Sequence, residues 1–475
     1  MNFEPGTRTG DHAFASAVES LRGTLRGEAL TAIDDGYDDA RAVWNAMIDR
    51  HPNLIIRAKG AADVIAAVNF AQLHDLPVSI KGGGHNVAGH AVCDDGLMID
   101  LSLMRAVHVD PQARRARVEG GATWCDLDRE AQVFGLATPG GVISDTGVAG
   151  LTLAGGIGWL RSRYGLCIDN LVSADVVTAD GKLVTASAGQ NDDLYWALRG
   201  GGGNFGVVVS FEFALHPVGP TVMFAGPIYP LSAGPGPIRF WRDFLADKHG
   251  DVGSLVEFST VAESEDYPAE YWGQRCYTIA AVYAGDADEG ERLLQPLREL
   301  GPMITDFSGQ MPYCEVQKLF DALFPAGQYR SYWKCHFLAG LPDAMIDAAL
   351  ANAAAAPSGK TLSSLWNFGG ATAAVPADAT ALGDRSFGWM YSIDSVWPDP
   401  ADDEANIAFT RKVWEETRQY SLEGRLYLNF AGHGEDNDAL VKDAYGKNYA
   451  RLAAIKAKFD PGNMFRFNQN IRPAA

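Results

Sequence analysis

Three glycine-rich stretches crowd the first 206 residues: KGGGHNVAGH at 81–90, TPGGVISDTGVAGLTLAGGIG at 138–158 and RGGGGNFG at 199–206. Glycine weakens helices and strands, so such density needs a reason. Turn chemistry accounts for one cluster. Three of them, two ending strand-like runs, point to backbone that must approach a ligand closely. Successive free N–H groups in glycine-rich turns form concavities suited to a diphosphate, and Lys81 would add positive charge. No G-x-G-x-x-G opening a helix and no G-x-x-x-x-G-K-[ST] loop is present, so the expected geometry is neither of those two.

The segments around the clusters read as alternating strands and helices. PNLIIRA is a short strand, AADVIAAVNFAQLHD carries Val64, Val68 and Ala71 at helical spacing, and LPVSIKGGG is a strand running into glycine. That order predicts a parallel α/β unit. AVHVDPQARRARVEGG and DVVTADGKLVTA read as hairpins turning at Asp110-Pro111 and Asp180-Gly181, and NFGVVVSFEFALHP as a closing strand. Pro217 and Pro220 mark a boundary. Beyond it, to about residue 428, aromatic residues become dense in DYPAEYWGQRCYTIAAVY, GQYRSYWKCHF, SLWNFGG and FGWMYSIDSVW, between helical stretches. An α+β domain with an aromatic-lined face is expected there. The tail, NYARLAAIKAKFDPGNMFRFNQNI, reads as a helix stopped at Asp460-Pro461-Gly462 and an extended segment.

Charge narrows the partners. With 59 acidic and 39 basic residues the formal net charge is −20, which opposes nucleic acid and anionic membranes. No run reaches the roughly 18 apolar residues of a membrane span. The opening MNFEPGTRTGDHAF has no basic segment leading an apolar one, and the six cysteines are scattered without a C-x-x-C pair. A cytoplasmic enzyme with reduced thiols, acting on a small molecule, is the resulting expectation. The ten histidines show no metal-ligand spacing, so no metal is expected.

The motifs KGGGHNVAGH, DGLMIDLSLM, EGGATWCDL, SDTGVAGLTLAGGIGWLRSRYGLCIDNL, DLYWALRGGGGNFGVV and YARLAAIKAKFDPGNMFRFNQNI occur in consistent order over about half the chain. They resemble the FAD-linked oxidases of the vanillyl-alcohol-oxidase superfamily, and more narrowly the branch of berberine-bridge enzyme and 6-hydroxy-D-nicotine oxidase. The resemblance implies a mixed α/β, α+β fold. A two-part FAD-binding domain of the PCMH type would take residues 1–220 (core about 51–219). An α+β substrate domain with an antiparallel sheet would take 221–428, and 429–475 would return to the FAD-binding domain.

The resemblance also assigns residues. His85 matches the histidine that bonds covalently to the 8α position of FAD, within a cradle of Lys81, Gly82, Gly83, Gly84, Asn86, Val87, Gly89 and His90. Where many relatives have a second, cysteinyl link, this chain has Ile143, so a single link is expected. Thr138, Gly140, Gly141, Ser144, Thr146, Gly147, Gly150, Leu151, Gly156 and Ile157 would hold flavin and diphosphate. Asn170 and Val208 would lie near ribose and adenine, and Asn470 near the ring system. Val148 would stand where dioxygen is admitted, in the permissive version.

The implied activity is that of an FAD-dependent oxidase. Hydride leaves a small aromatic or polycyclic alcohol, amine or phenol for the flavin, and O2 reoxidises it to give H2O2. RLYLNFAGHG resembles the family's Y-x-N-Y/F segment, making Tyr427 and Asn429 the leading catalytic candidates, with Tyr332 and Tyr391 in reserve. A free tyrosine has a pKa of about 10, so cations such as Arg425 or His433 would have to lower it. The same motifs also resemble flavoenzymes that oxygenate a polyketide through a flavin N5-oxide, which is the alternative chemistry.

Overall fold

The computed structural model describes residues 9–246, 250–422, 425–435 and 438–474. The expected strand–helix–strand unit is present as Leu54–Arg57, Ala61–Leu73 and Val78–Lys81. The two strands are not neighbours. DGLMIDLSLM supplies Leu97–Asp100, which inserts between them and pairs parallel with both, and Glu28–Leu30 adds an antiparallel edge. Leu54, Ile55 and Ile56 are all fully buried, as a sheet covered on both faces requires.

Both hairpins form in a second, five-stranded antiparallel sheet. Its order is Val107–Asp110, Arg115–Glu119, Val207–Ala214, Leu171–Val177, Leu183–Ser187. The first glycine cluster follows Val78–Lys81 of the four-stranded sheet, and the third leads into Val207–Ala214 of the five-stranded one.

From Thr221 the chain builds a nine-stranded antiparallel sheet that ends with Trp389–Trp397. Residue alternation divides its two faces. Val256, Phe258, Leu365, Tyr391 and Ile393 pack with Trp241, Leu245, Met345, Ile346 and Val413 of the helices Gly236–Ala246, Asp343–Ala355 and Asp403–Thr417. The intervening residues Leu255, Trp366 and Met390 turn the other way, toward Ile157 of the second glycine cluster and Trp159 and Leu160 just after it. This second face roofs the site.

The tail helix Tyr449–Phe459 ends where expected, and a buried cation fixes the extended segment beyond it. Lys456 Nζ donates to Asn204 O at 2.6 Å, Asp460 Oδ2 at 2.6 Å and Phe465 O at 3.0 Å. Asn204 Nδ2 also donates to Gln469 O, 3.2 Å away. The tail is thereby tied to the third glycine cluster.

Candidate active site

A large cavity, with about 1830 Å³ of empty space including its open mouth, lies between the glycine clusters and the nine-stranded sheet. Gly82, Gly83, Gly84, His85, Asn86 and His90 from the first cluster line it, as do Thr146, Gly147, Gly150, Leu151 and Ile157 from the second. The third contributes Gly202, Gly203, Gly206 and, just beyond it, Val208. The first two clusters meet backbone to backbone: a Cβ at Gly83 would lie 2.4 Å from Gly147 N. A side chain at either position would force the walls apart. At Gly150 and Gly203 a Cβ would meet nothing within 4 Å, so these walls leave open space.

His85 sits at one end of the cavity. Its ring stacks on Trp44 with centroids 5.5 Å apart and an interplanar angle of 23°. Nε2 lies 3.0 Å from Asp145 Oδ1, and Nδ1 lies 3.4 Å from Thr146 Oγ1. An aromatic chain leads away from it: Trp44 meets Trp333, Trp333 meets Phe430, and Phe430 meets Tyr427, with centroids 5.1–5.4 Å apart.

Tyr427 and Asn429 both line the cavity and touch each other. They sit around a short 3₁₀ turn, Leu428–Phe430. The Tyr427 hydroxyl accepts from Asn429 Nδ2 at 2.8 Å and from the Gly156 N–H at 3.0 Å. Asn429 Nδ2 also reaches Leu151 O at 3.2 Å. The anticipated cations are occupied elsewhere. Arg425 pairs with Asp384 at 2.9 Å, and His433 Nδ1 lies 3.4 Å from Ala88 O. Burial instead holds the Tyr427 phenol well above its ordinary range, which makes it a neutral hydrogen-bonding group and not a base near neutrality.

The sheet face contributes what sequence reasoning missed: two buried carboxyl groups, Glu257 and Asp394. Glu257 faces Ser364 across the ladder and accepts from its Oγ at 2.5 Å; Asp394 accepts from Ser392 Oγ at 3.0 Å. Glu257 Oε1 and Asp394 Oδ1 have no partner among the described residues. Burial pushes Asp394 up to about 7 against the pull of Ser392. Glu257 is driven well above the carboxylate range, first by burial and then by the charge of Asp394. Trp333, Trp366, Phe320 and Phe324 complete an aromatic wall. The signal for the pair was single polar residues inside apolar strands, SLVEFST and YSIDSVW.

Other anticipated residues lie elsewhere. Tyr391 belongs to the helix-covered face of the sheet, one position out of phase with the cavity. The Tyr332 hydroxyl is bonded to Glu435 and is 3.0 Å from Arg411 Nε, away from the cavity lining. Val148 is fully buried in the same core cluster as Trp124 and does not line the cavity; Ala149 and Gly150 do. Lys81 donates to Ala40 O at 2.6 Å and Ala42 O at 3.2 Å, which commits its ammonium to carbonyls and not to a diphosphate. Asn170 clamps its own loop, donating to Tyr164 O and Leu166 O at 2.8 and 3.0 Å and lying 2.6 Å from His216 Nε2.

The remaining departures are close to the cavity without lining it. Val87 is core, and Gly89 O accepts from Arg50. Gly140 and Gly141 pack against Trp124, and Thr138 is buried. Ser144 donates through N and Oγ to Asp321 at 2.8 and 2.6 Å, and Gly156 holds Tyr427 from behind. In the tail, Asn468 and Gln469 line the cavity and Asn470 does not.

A profile described as an FAD binding domain matches residues 52–187, and one described as berberine and berberine like matches 426–472. The (R)-6-hydroxynicotine oxidase of Paenarthrobacter nicotinovorans is 31% identical over 95% of this chain and 97% of its own length. The chain belongs to the berberine-bridge and 6-hydroxynicotine oxidase branch of FAD-linked oxidases. An FAD-linked oxidoreductase of Aspergillus terreus is 30% identical over 94% of this chain and 93% of that protein. The crystal structure of 6-hydroxy-D-nicotine oxidase from Arthrobacter nicotinovorans superposes with a TM-score of 0.84 at 28% identity, covering 95% and 98% of the two chains. The fold recurs in a berberine-bridge-like protein of Physcomitrella patens, with a TM-score of 0.85 at 21% identity over 96% and 99%. As in the family, the chain is an FAD-linked oxidoreductase.

The residues present fit FAD. The three glycine walls leave an open trough, and Asn468 Oδ1, buried at its edge, has no partner among the described residues. No helix among the described residues is long and apolar enough to cross a membrane.

Proposed function

We propose that this enzyme is an oxidase of small aromatic alcohols or amines, with its flavin tethered through His85 and Asp394 as the proton acceptor. FAD, held by the glycine walls and His85, would supply the acceptor for a hydride from a substrate C–H bond and the route of its electrons to O2 as H2O2. One observation carries the reading: a single cavity has His85 on its glycine wall and the Glu257–Asp394 pair on its sheet wall.

The protein's own tasks divide by residue. The aromatic wall stacks a planar substrate and excludes water. Asp394, whose carboxyl is pushed up to about 7 by burial, accepts the proton lost from the substrate O–H or N–H as the C–H bond is cleaved. Glu257 stays protonated beside it, since two buried carboxyl groups do not ionise together. The neutral Tyr427 phenol has both acceptor positions filled, which leaves its O–H to orient the substrate oxygen or nitrogen. In this reading residues 221–428 bind substrate, and 1–220 with 429–475 bind FAD.

Anaerobic mixing with a panel of aromatic alcohols and amines tests the activity. Bleaching of the flavin band by a member, then stoichiometric peroxide on admitting O2, is the expected result. Labelled oxygen in the product with little peroxide would replace oxidation by oxygenation. Acid precipitation tests the tether: yellow colour stays with the wild-type pellet and is lost in His85→Ala.

A further inference from the structure

We infer that Asp145 is a positioning residue for His85, aiming Nδ1 of the imidazole at the flavin during covalent attachment. This rests on the reading that His85 carries the link.

The two ring nitrogens have different surroundings. Nε2 lies 3.0 Å from the Asp145 carboxylate, whose side chain is 50% exposed and does not line the cavity. Nδ1 lies beside Thr146, which does line it. The Trp44 indole, stacked on the imidazole, fixes the plane of the ring. Trp44 is itself held by a 2.8 Å bond from its indole N–H to Phe324 O.

A neutral imidazole carries one N–H, and its partner decides which nitrogen keeps it. A carboxylate accepts and cannot donate, so Asp145 holds the proton on Nε2. The lone pair is left on Nδ1, on the cavity side. Forming the link replaces one C–H bond of the 8α-methyl group by a C–N bond. The methyl proton and the Nε2 proton are released, and the two electrons pass to the isoalloxazine and then to dioxygen, yielding H2O2. While the C–N bond forms, the ring gains positive charge. Asp145 stabilises that charge through a charge-assisted hydrogen bond and hands the Nε2 proton to the solvent it faces.

The neighbouring carboxylates differ from Asp145 in this respect. Asp321 is engaged by Ser144 N and Oγ, and Asp128 by Gln317 Nε2. Glu257 and Asp394 lie on the sheet wall with Ser364 and Ser392 as their partners. Asp145 alone among these is paired with the histidine.

The test uses the purified full chain, produced under riboflavin limitation and incubated with excess FAD in air. Acid-stable flavin and whole-protein mass are followed with time. Asp145→Asn and Asp145→Ala are expected to slow covalent loading at least about tenfold, while quenching of FAD fluorescence reports unchanged non-covalent binding. Asp145→Glu, which keeps the carboxylate, restores loading. NMR of the wild-type flavinyl peptide finds the link at Nδ1. Loading of Asp145→Ala at the wild-type rate, or a link at Nε2, overturns the inference while leaving the tether intact. Wild-type protein that releases all of its flavin in acid overturns the tether and this inference together.

Discussion

Glu257 and Asp394 face one cavity from strands that do not pair with each other. The strand Leu362–Asn367 runs between theirs, and Ser364 on that strand binds Glu257. Each carboxyl keeps one oxygen without a partner among the described residues. Leaving a buried polar atom unpaired costs about 1–3 kcal/mol, a cost that a substrate proton or N–H group would relieve.

Asp394→Asn removes the proposed proton acceptor. We expect kcat/KM to fall between about 10²- and 10⁴-fold with FAD still bound. The wild-type profile should rise with pH through about 7, because the carboxylate is the active form. That rising limb should vanish in the variant. Stopped-flow reduction rates between pH 5 and 9 check both statements.

Tyr427→Phe separates the phenol from the titrating group. It strips the acceptor from the Gly156 N–H and the Asn429 amide, at a cost of about 1–3 kcal/mol in a buried setting. Reduction should slow, yet the limb near 7 should stay where it is. Movement of that limb by a full unit in the variant would show that the tyrosine contributes to it.

Asp128, which does not line the cavity, offers a test of pH-dependent stability. Its carboxyl is fully buried, bonded to Gln317 Nε2 at 2.9 Å, and pushed up to about 7 by desolvation. A carboxyl raised in the folded state favours folding most at low pH; that advantage declines as pH climbs from about 4 to about 7. Asp128→Asn should therefore match wild type near pH 4 and exceed it by about 2–4 kcal/mol at pH 8. Urea unfolding at the two pH values measures the difference.

Arg161 joins the second glycine cluster to the nine-stranded sheet, with no carboxylate partner among the described residues. Its guanidinium donates to Asn367 O and Gly158 O at 2.8 Å each, to Asn367 Oδ1 at 2.9 Å, and to Ser254 O. It also lies 5.2 Å from the ring centroid of Trp366. Lysine cannot reproduce that planar fork, so Arg161→Lys should lose about 2–4 kcal/mol and lower Tm.

The glycine clusters were legible because their chemistry is local: a bare backbone signals close approach wherever it occurs. His85, Tyr427 and Asn429 could be singled out for the same reason, each inside a short motif. The carboxyl pair was not legible. Glu257 meets Ser364 across 107 residues of sequence, and only the strand register decides that their face, and not that of Tyr391, looks into the cavity. Val148 misled because it opens the helix Val148–Leu153 with its side chain in the core, while its neighbours Ala149 and Gly150 line the space.

The clamp made by Lys456 couples one side of the trough to a single buried ammonium. Phe465 O accepts from it, and Phe465, Phe467, Asn468 and Gln469 form part of the cavity wall. A ligand that binds only the ordered wall stabilises that order in return, so cofactor retention and the anchoring of this segment rise and fall together.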